Sequence, residues 1–213
     1  SCAASPSSQA HAGTSVGLWS EGWYWIVDDG ERAQIQLVGQ SRARHPADWV
    51  NALVAERPEL AQRFRDWKGP WVARPAYARL ANLADPLLAV GDAAMAVDPL
   101  SGHGVYEALR SADLHASAVR TLLAGGDADL IRQYLTDRRN ETWARTVSVA
   151  ADLYAEPADS SPFWRDCAHA YRQLADEAPR PRVTQSVIAQ RPVLDDGYIR
   201  EKPVVVTPSA PRG

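Results

Sequence analysis

The residues with the most chemistry in them lie between positions 91 and 104. Gly91-Asp92 ends a short apolar run, Leu87-Leu88-Ala89-Val90, and AAMAVDPLSGHG leads from there into a long helical pattern. An Asp at the carboxyl end of a strand accepts hydrogen bonds from sugar-like hydroxyls, and a glycine before it lets a ligand chain pass close to the backbone. Gly102 and Gly104 leave the first N–H groups of the next helix uncovered. With the positive end of the helix dipole, those donors favour an anion or an electron-rich carbonyl. Pro99 fixes the chain ahead of that turn.

Positioning such a device takes a strand, a tight loop and a helix. The run 87–91 reads as a buried strand stopping at a ligand crevice. Val105, Ala108, Leu109, Ala112, Ala116, Val119 and Leu123 recur at three- and four-residue steps, which predicts an amphipathic helix over 104–124, closed by Gly125-Gly126. Asp127 can cap a further helix to about 155, with Leu130, Ile131, Tyr134, Leu135, Trp143, Val147, Ala151 and Tyr154 on its apolar face before Pro157. Another amphipathic helix is expected over 163–177 through Phe163, Trp164, Cys167, Tyr171 and Leu174.

Upstream, EGWYWIVDDGERAQIQLVG places two β-rich runs around Asp28-Asp29-Gly30, the pattern of a hairpin with strands near 22–27 and 33–39. Ala33, Ile35 and Leu37 alternate there with Gln34, Gln36 and Val38, as one buried and one wetter face require. Pro46 suits the first turn of a helix whose face runs through Trp49, Leu53 and Val54 until Pro58, with a short helix from Pro58 to about Trp67. Pro75 makes WVARPAYARL, 71–80, extended chain. A second Asp-Gly signal, Asp196-Gly197, predicts a terminal hairpin, and the opening SCAASPSSQAHAGTS has the composition of a tail or linker. The expected domains are therefore 1–19 as tail, 20–86 with the hairpin sheet, 87–126 as the strand–helix unit, and 127–213 as a helical region with its hairpin.

The segment GDAAMAVDPLSGHGVYEALRSA resembles the second flavin-binding motif of FAD-dependent hydroxylases and halogenases of the para-hydroxybenzoate-hydroxylase fold. DPLSGHG is most similar to tryptophan-halogenase-type proteins and to the flavoproteins that hydroxylate a tryptophan during quinone-cofactor maturation. The resemblance implies that Asp92 binds the ribityl chain of FAD with Gly91 beside it. It places Pro99, Leu100, Ser101, Gly102, His103 and Gly104 beside the isoalloxazine ring, with the amides near Gly102 and Gly104 facing the flavin N1–C2 carbonyl edge, and counts Asp98 among the cofactor-binding residues. EGWYWIVDDG is similar to the halogenase strand carrying Trp-x-Trp-x-Ile-Pro: Trp23 and Trp25 match the tryptophans, whereas Val27 and Asp28 replace Ile and Pro, which favours hydroxylation over halogenation. The implied fold class is α+β, the C-terminal half of that fold including an α/β remnant of its FAD domain, with the resemblance spanning roughly 20–155.

The family's strand–GxGxxG–helix unit, which holds the ADP half of FAD, has no counterpart in this sequence. The chain therefore reads as the C-terminal part of a flavoenzyme, inactive alone, and either truncated, processed, or supplied with a separate N-terminal nucleotide-binding half as partner. Its expected substrate is an aromatic small molecule or a tryptophan-containing peptide. The alternatives are a flavin-dependent halogenase and a non-catalytic binding or scaffold remnant. No catalytic residue is assigned.

Composition narrows the rest. Lys+Arg 23 against Asp+Glu 26, with a net charge of -3, builds no basic stripe for nucleic acid. No apolar run approaches the roughly 20 residues of a membrane span, so a soluble, cytoplasmic protein is expected. Cys2 and Cys167 read as unrelated thiols, and His11, His45, His103, His115 and His169 never fall at metal-ligand spacing, so no metal is expected. Trp23 and Trp25 share a strand face and either line an aromatic pocket or sit in the core. His103 reads as a loop residue, and Glu107 as a first-turn carboxylate favoured by the dipole. Trp143, Tyr154, Trp164 and Tyr171 read as packing residues, and Arg138-Arg139 and Arg180 with Arg182 as solvated charges.

Overall fold

The structure is a computed structural model that describes residues 2–6, 13–39, 45–64, 72, 78–179 and 186–207. Most of the 71–80 segment expected to be extended, and the pair Arg180 and Arg182, lie outside the described residues. The chain forms two units, one from 1–76 with 153–168 and the other from 77–152 with 169–213. These bounds differ from the expected four segments because the last two long helices each pass from one unit into the other.

The first unit is built on a four-stranded antiparallel sheet in the order β1-β4-β3-β2, from β1 (Cys2–Pro6), β2 (Gly13–Trp19), β3 (Gly22–Asp28) and β4 (Arg32–Gly39). The Asp-Gly hairpin forms where the sequence places it, with the Asp28 carboxylate accepting from Gly30 N (2.9 Å) and that of Asp29 from Arg32 N. In β4, Ala33, Ile35 and Leu37 are buried, as the alternation requires. The tail expected at 1–19 is corrected: β1 pairs with β4 and β2 with β3. Small residues such as Ser, Ala and Gly satisfy an antiparallel ladder through their backbones, so low hydrophobicity did not keep this segment out of the sheet.

One face of the sheet carries Tyr24, Ile26, Ile35 and Leu37 against the helix α1 (Pro46–Glu56) and the short turn of helix α2 (Ala61–Phe64), through Val50, Leu53, Leu60 and Phe64. Tyr154, Phe163 and Trp164 form an aromatic cluster in the same unit. Trp164 is anchored by its indole N–H, which donates to the Trp19 carbonyl (2.8 Å), so this tryptophan fastens the chain as well as packing.

The second unit contains β5 (Arg79–Leu80) and β6 (Met95–Ala96) as a two-stranded ladder, the helices α3 (Gly104–Leu123), α4 (Ala128–Ala155) and α5 (Pro162–Glu177), of which the last two are shared with the first unit, and a hairpin of β7 (Val187–Asp195) and β8 (Tyr198–Val206). Asp127 caps α4 through Asp129 N and Leu130 N, and Asp196 and Gly197 take the two positive φ angles of the hairpin turn. Met95, Val97, Trp143, Val147, Ala175 and Ala178 form one core cluster, and Ala118, Ile131, Tyr134, Leu135 and Ile199 another. Among the described residues no helix is long and apolar enough to cross a membrane.

Two expectations fail here. The strand expected at 87–91, immediately before Asp92, is absent. The Asp85 carboxylate accepts from Leu87 N (3.0 Å) and bends Pro86–Leu88 into a 3-10 turn. Ala89 and Val90 are extended but belong to no ladder, and Val90 is exposed. The apolar stripe of α3 also faces outward: Val105, Leu109, Val119 and Leu123 are 75%, 68%, 51% and 85% exposed, whereas Glu107, Ser117, Ala118 and Thr121 are buried.

Candidate functional site

The loop from 91 to 104 is held by a chain of local hydrogen bonds. Gly91 N donates to Ser111 Oγ (2.9 Å) on α3, so this amide, expected at a strand end, is fastened to the helix instead. Gly91 takes φ +58°, opening a 3-10 turn over Gly91–Ala93 in which Asp92 is exposed. Arg79 Nη2 reaches the Asp92 carbonyl oxygen (3.4 Å), and Asp92 itself is exposed.

Asp98 organises the second half of the loop. It is buried, and its carboxylate accepts from Leu100 N (2.8 Å) and from the hydroxyl of Tyr171. Its carbonyl accepts from Ser101 N (3.1 Å) and Ser101 Oγ (2.6 Å). Pro99–Ser101 is thereby a 3-10 turn, ended by Gly102 at φ +66°. A Cβ at Gly102 would meet nothing within 4 Å, so the glycine serves the left-handed backbone and an open approach rather than close packing. His103 is exposed at the N-cap of α3 and contributes no side-chain cap, its ring standing edge-on to Tyr106 at 6.4 Å. The first-turn amides of α3 are therefore not taken by a capping side chain, and they lie next to the Gly102 turn.

The structure thus brings Asp98, Pro99, Leu100, Ser101, Gly102, His103 and Gly104 into one loop, with Gly91 and Asp92 in the turn before β6 and in the same unit. Glu107, expected only to meet the dipole, is buried and accepts from Arg145 Nη2 (3.0 Å), with Arg110 Nη1 at 3.6 Å. The tyrosine that holds Asp98 was legible only as a packing residue of α5. Its signal was available only in part, since a tyrosine on an apolar helical face must find a partner for its hydroxyl.

In the first unit, Trp23 and Trp25 lie on one face of β3, opposite Leu18 and Val16 on β2. Their burial separates them. Trp23 is 3% exposed and its indole N–H finds no partner among the described residues, while Trp25 is 42% exposed. Asp28, where the halogenase-like pattern has proline, closes the hairpin turn.

Comparison with known proteins bears on the fold. No family model matches the chain, and no curated protein sequence does either. Among solved structures, a peptidyl tryptophan dihydroxylase essential for tryptophylquinone cofactor biogenesis matches over 97% of this chain and 51% of its own, at 26% identity and a TM-score of 0.68. The flavin-dependent halogenase CmlS matches over 97% of this chain and 52% of its own, at 15% identity and a TM-score of 0.67. The myxobacterial chondrochloren halogenase CndH, described as a variant of FAD-dependent halogenases, matches over 78% of this chain and 44% of its own, at 19% identity and a TM-score of 0.59. The chain spans about half the length of these structures and carries that part of an FAD-dependent monooxygenase and halogenase-like flavoprotein fold.

Proposed function

We propose that the chain forms the ribityl and ring side of an FAD site in a monooxygenase-type oxidoreductase acting on an aromatic substrate, with a tryptophan or indole group as the specific case. The observation that carries this reading is the 91–104 loop itself, standing in a chain that matches a peptidyl tryptophan dihydroxylase over 97% of its length. The residues fit the group. Asp92 offers an exposed carboxylate beside a glycine at φ +58°, and Gly102 leaves open space next to helix amides that no side chain caps.

Bound FAD would supply the oxygen-dependent redox chemistry. Asp92 would accept hydrogen bonds from ribityl hydroxyls, and the amides around Gly102 and Gly104 would favour a carbonyl edge on which negative charge gathers. Asp98 and Tyr171 would hold that loop in place. Trp25, the exposed member of its pair, is the better placed to meet an aromatic substrate. Hydroxylation is preferred to halogenation because Val27 and Asp28 interrupt the Trp-x-Trp-x-Ile-Pro pattern. A nucleotide-binding half outside these residues would supply the pyrophosphate contacts and cover the exposed stripe of α3.

The test is FAD affinity in a protein that contains both halves. Asp92→Ala should weaken binding by about 1.5–3 kcal/mol, the range for a lost hydrogen bond to a charged group. Unchanged affinity would refute the assignment of Asp92. Product mass with and without halide then separates hydroxylation from halogenation.

A further inference from the structure

The segment that leads to Asp92 belongs to no sheet among the described residues. Pro86–Leu88 is a 3-10 turn, and Ala89 and Val90 are extended without a ladder. Extended chain without a ladder has no fixed place unless its N–H and C=O groups find partners elsewhere. Here the partners come from one face of α3, where Ala108, Ser111 and His115 follow one another at steps of three and four residues.

Each of the three meets the segment. The Ser111 hydroxyl accepts from Gly91 N (2.9 Å). His115 Nε2 lies 2.9 Å from the Pro86 carbonyl oxygen and donates to it when that nitrogen carries the proton. Ala108 fits against Gly91 so closely that a Cβ on the glycine would stand 3.3 Å from the Ala108 Cβ. At the start of the segment, the Asp85 carboxylate accepts from Leu87 N (3.0 Å) and pairs with Arg132 Nε (3.0 Å) on α4.

The serine is aimed. Its hydroxyl donates to Ala108 O (2.9 Å), so the proton is committed to the helix and the lone pairs are left for the Gly91 amide. The Gly91 carbonyl accepts in turn from Ala94 N (2.9 Å), closing the turn in which Asp92 is the next residue. Asp92 thus lies one peptide unit, about 3.8 Å between Cα atoms, from the anchored glycine. Arg79, at 3.4 Å from the Asp92 carbonyl oxygen and exposed, is the weaker hold.

We propose that Ser111 is the positioning residue of the Asp92 turn, setting through the Gly91 amide where the Asp92 carboxylate stands toward a flavin ribityl chain, with His115 as the second point of the same tether. This rests on Asp92 as the ribityl acceptor. Ser111 itself touches no ligand and acts through Gly91.

The tether and its consequence are measured separately. In the full chain, amide hydrogen exchange at Gly91, taken relative to that at Ala118 in the same helix, should quicken by about two- to tenfold in Ser111→Ala, the net worth of one hydrogen bond. Ser111→Thr keeps a hydroxyl that can bond back to the helix and should restore the rate. In a protein that contains both halves, Ser111→Ala should weaken FAD binding by about two- to tenfold when Asp92 is present. In an Asp92→Ala background the same change should cost less than about twofold. A serine that served only the stability of the helix would cost the same in both backgrounds. His115→Ala should follow the pattern of Ser111→Ala. An unchanged Gly91 rate in Ser111→Ala, a threonine that does not restore it, or equal losses of affinity in the two backgrounds would overturn the proposal. Asp92→Ala that leaves FAD affinity unchanged would refute Asp92 as the ribityl acceptor and the positioning role with it, a result told apart from failure of the tether by the Gly91 exchange rate.

Discussion

Tyr171→Phe removes one hydroxyl and leaves the ring, so it isolates the bond by which α5 holds the candidate flavin loop. Tyr171 is 9% exposed and Asp98 7%, and the hydroxyl donates to the Asp98 carboxylate. The same carboxylate fixes Leu100 N, and the Asp98 carbonyl fixes Ser101, so the turn that ends at Gly102 is built on this residue. A hydrogen bond to a buried charged group is worth about 1.5–3 kcal/mol. At roughly 2–4 °C per kcal/mol for a chain of this size, Tyr171→Phe should lower Tm by roughly 3–12 °C. Urea unfolding is the assay, because an unchanged slope shows that the loss is one of stability and not of compactness. In a cycle with Asp98→Ala, the tyrosine substitution should cost little once the carboxylate is gone. A Tyr171→Phe protein within about 0.5 kcal/mol of the parent, the range of a bland surface change, would refute the argument that this bond carries the loop.

Gly102→Ala should destabilise by about 1–2 kcal/mol, the cost of a left-handed conformation at a residue with a Cβ, and Gly102→Asn by less, as measured by chemical unfolding. Asp85 has its pKa lowered chiefly by the Leu87 amide and then by Arg132, so its contribution is present at neutral pH and is lost as pH falls through the carboxylate range. The stability difference between the parent and Asp85→Asn should accordingly vanish in acid, and a difference that persists there would contradict the assignment. On the proposed reading of a ribityl and ring half-site, the 213-residue chain alone should purify colourless, because each pyrophosphate contact it would lack is worth about 1.5–3 kcal/mol. Near-stoichiometric flavin absorbance after gel filtration would show a nucleotide site built from these residues alone.

Much of the local structure was legible because single residues dictate it. Asp-Gly placed both hairpins, Pro46 opened α1, Asp127 capped α4, and Gly125 ended α3 at φ +80°. Each acts within a few residues, where sequence is sufficient. The strand expected at 87–91 was not of this kind, since an extended segment becomes a strand only when another strand offers it a ladder. Ala89 and Val90 have the dihedral angles without the ladder, while Asp85 turns the residues before them. The 1–19 segment shows the converse: composition suggested a tail, but β3 and β4 were flanked by open edges that β1 and β2 fill. Arg138-Arg139 looked solvated because a charged pair carries no sign of what packs across from it. The structure leaves both residues half-exposed but buries Nε of Arg138 and Nε and Nη1 of Arg139.

The orientation of α3 joins these findings. Its periodicity was read correctly, yet the side that meets the rest of the unit carries Glu107, Ser117 and Thr121, while Val105, Leu109 and Leu123 face out. The inward side combines apolar packing by Ala118, with Leu114 and Leu122 beside it, and polar contacts: Glu107 to Arg145, and Thr121 Oγ1 accepting from Ile199 N (3.0 Å) on β8 while donating to Ser117 O. Such a helix gives up about 25 cal/mol for every Å² of apolar surface left in water. Contiguous exposure of this kind marks a surface used for association. The stripe begins at Val105, directly after the Gly102-His103-Gly104 turn, and Val90, the unpaired extended residue before Gly91, is exposed as well. Exposed apolar or unpaired extended chain thus lies on both sides of the proposed flavin loop, as it also does at Val16, Ile188 and Val205 elsewhere among the described residues. A nucleotide-binding half seated there would cover the stripe, could offer Val90 a ladder, and would bring its pyrophosphate contacts to the side of the site that these residues do not furnish.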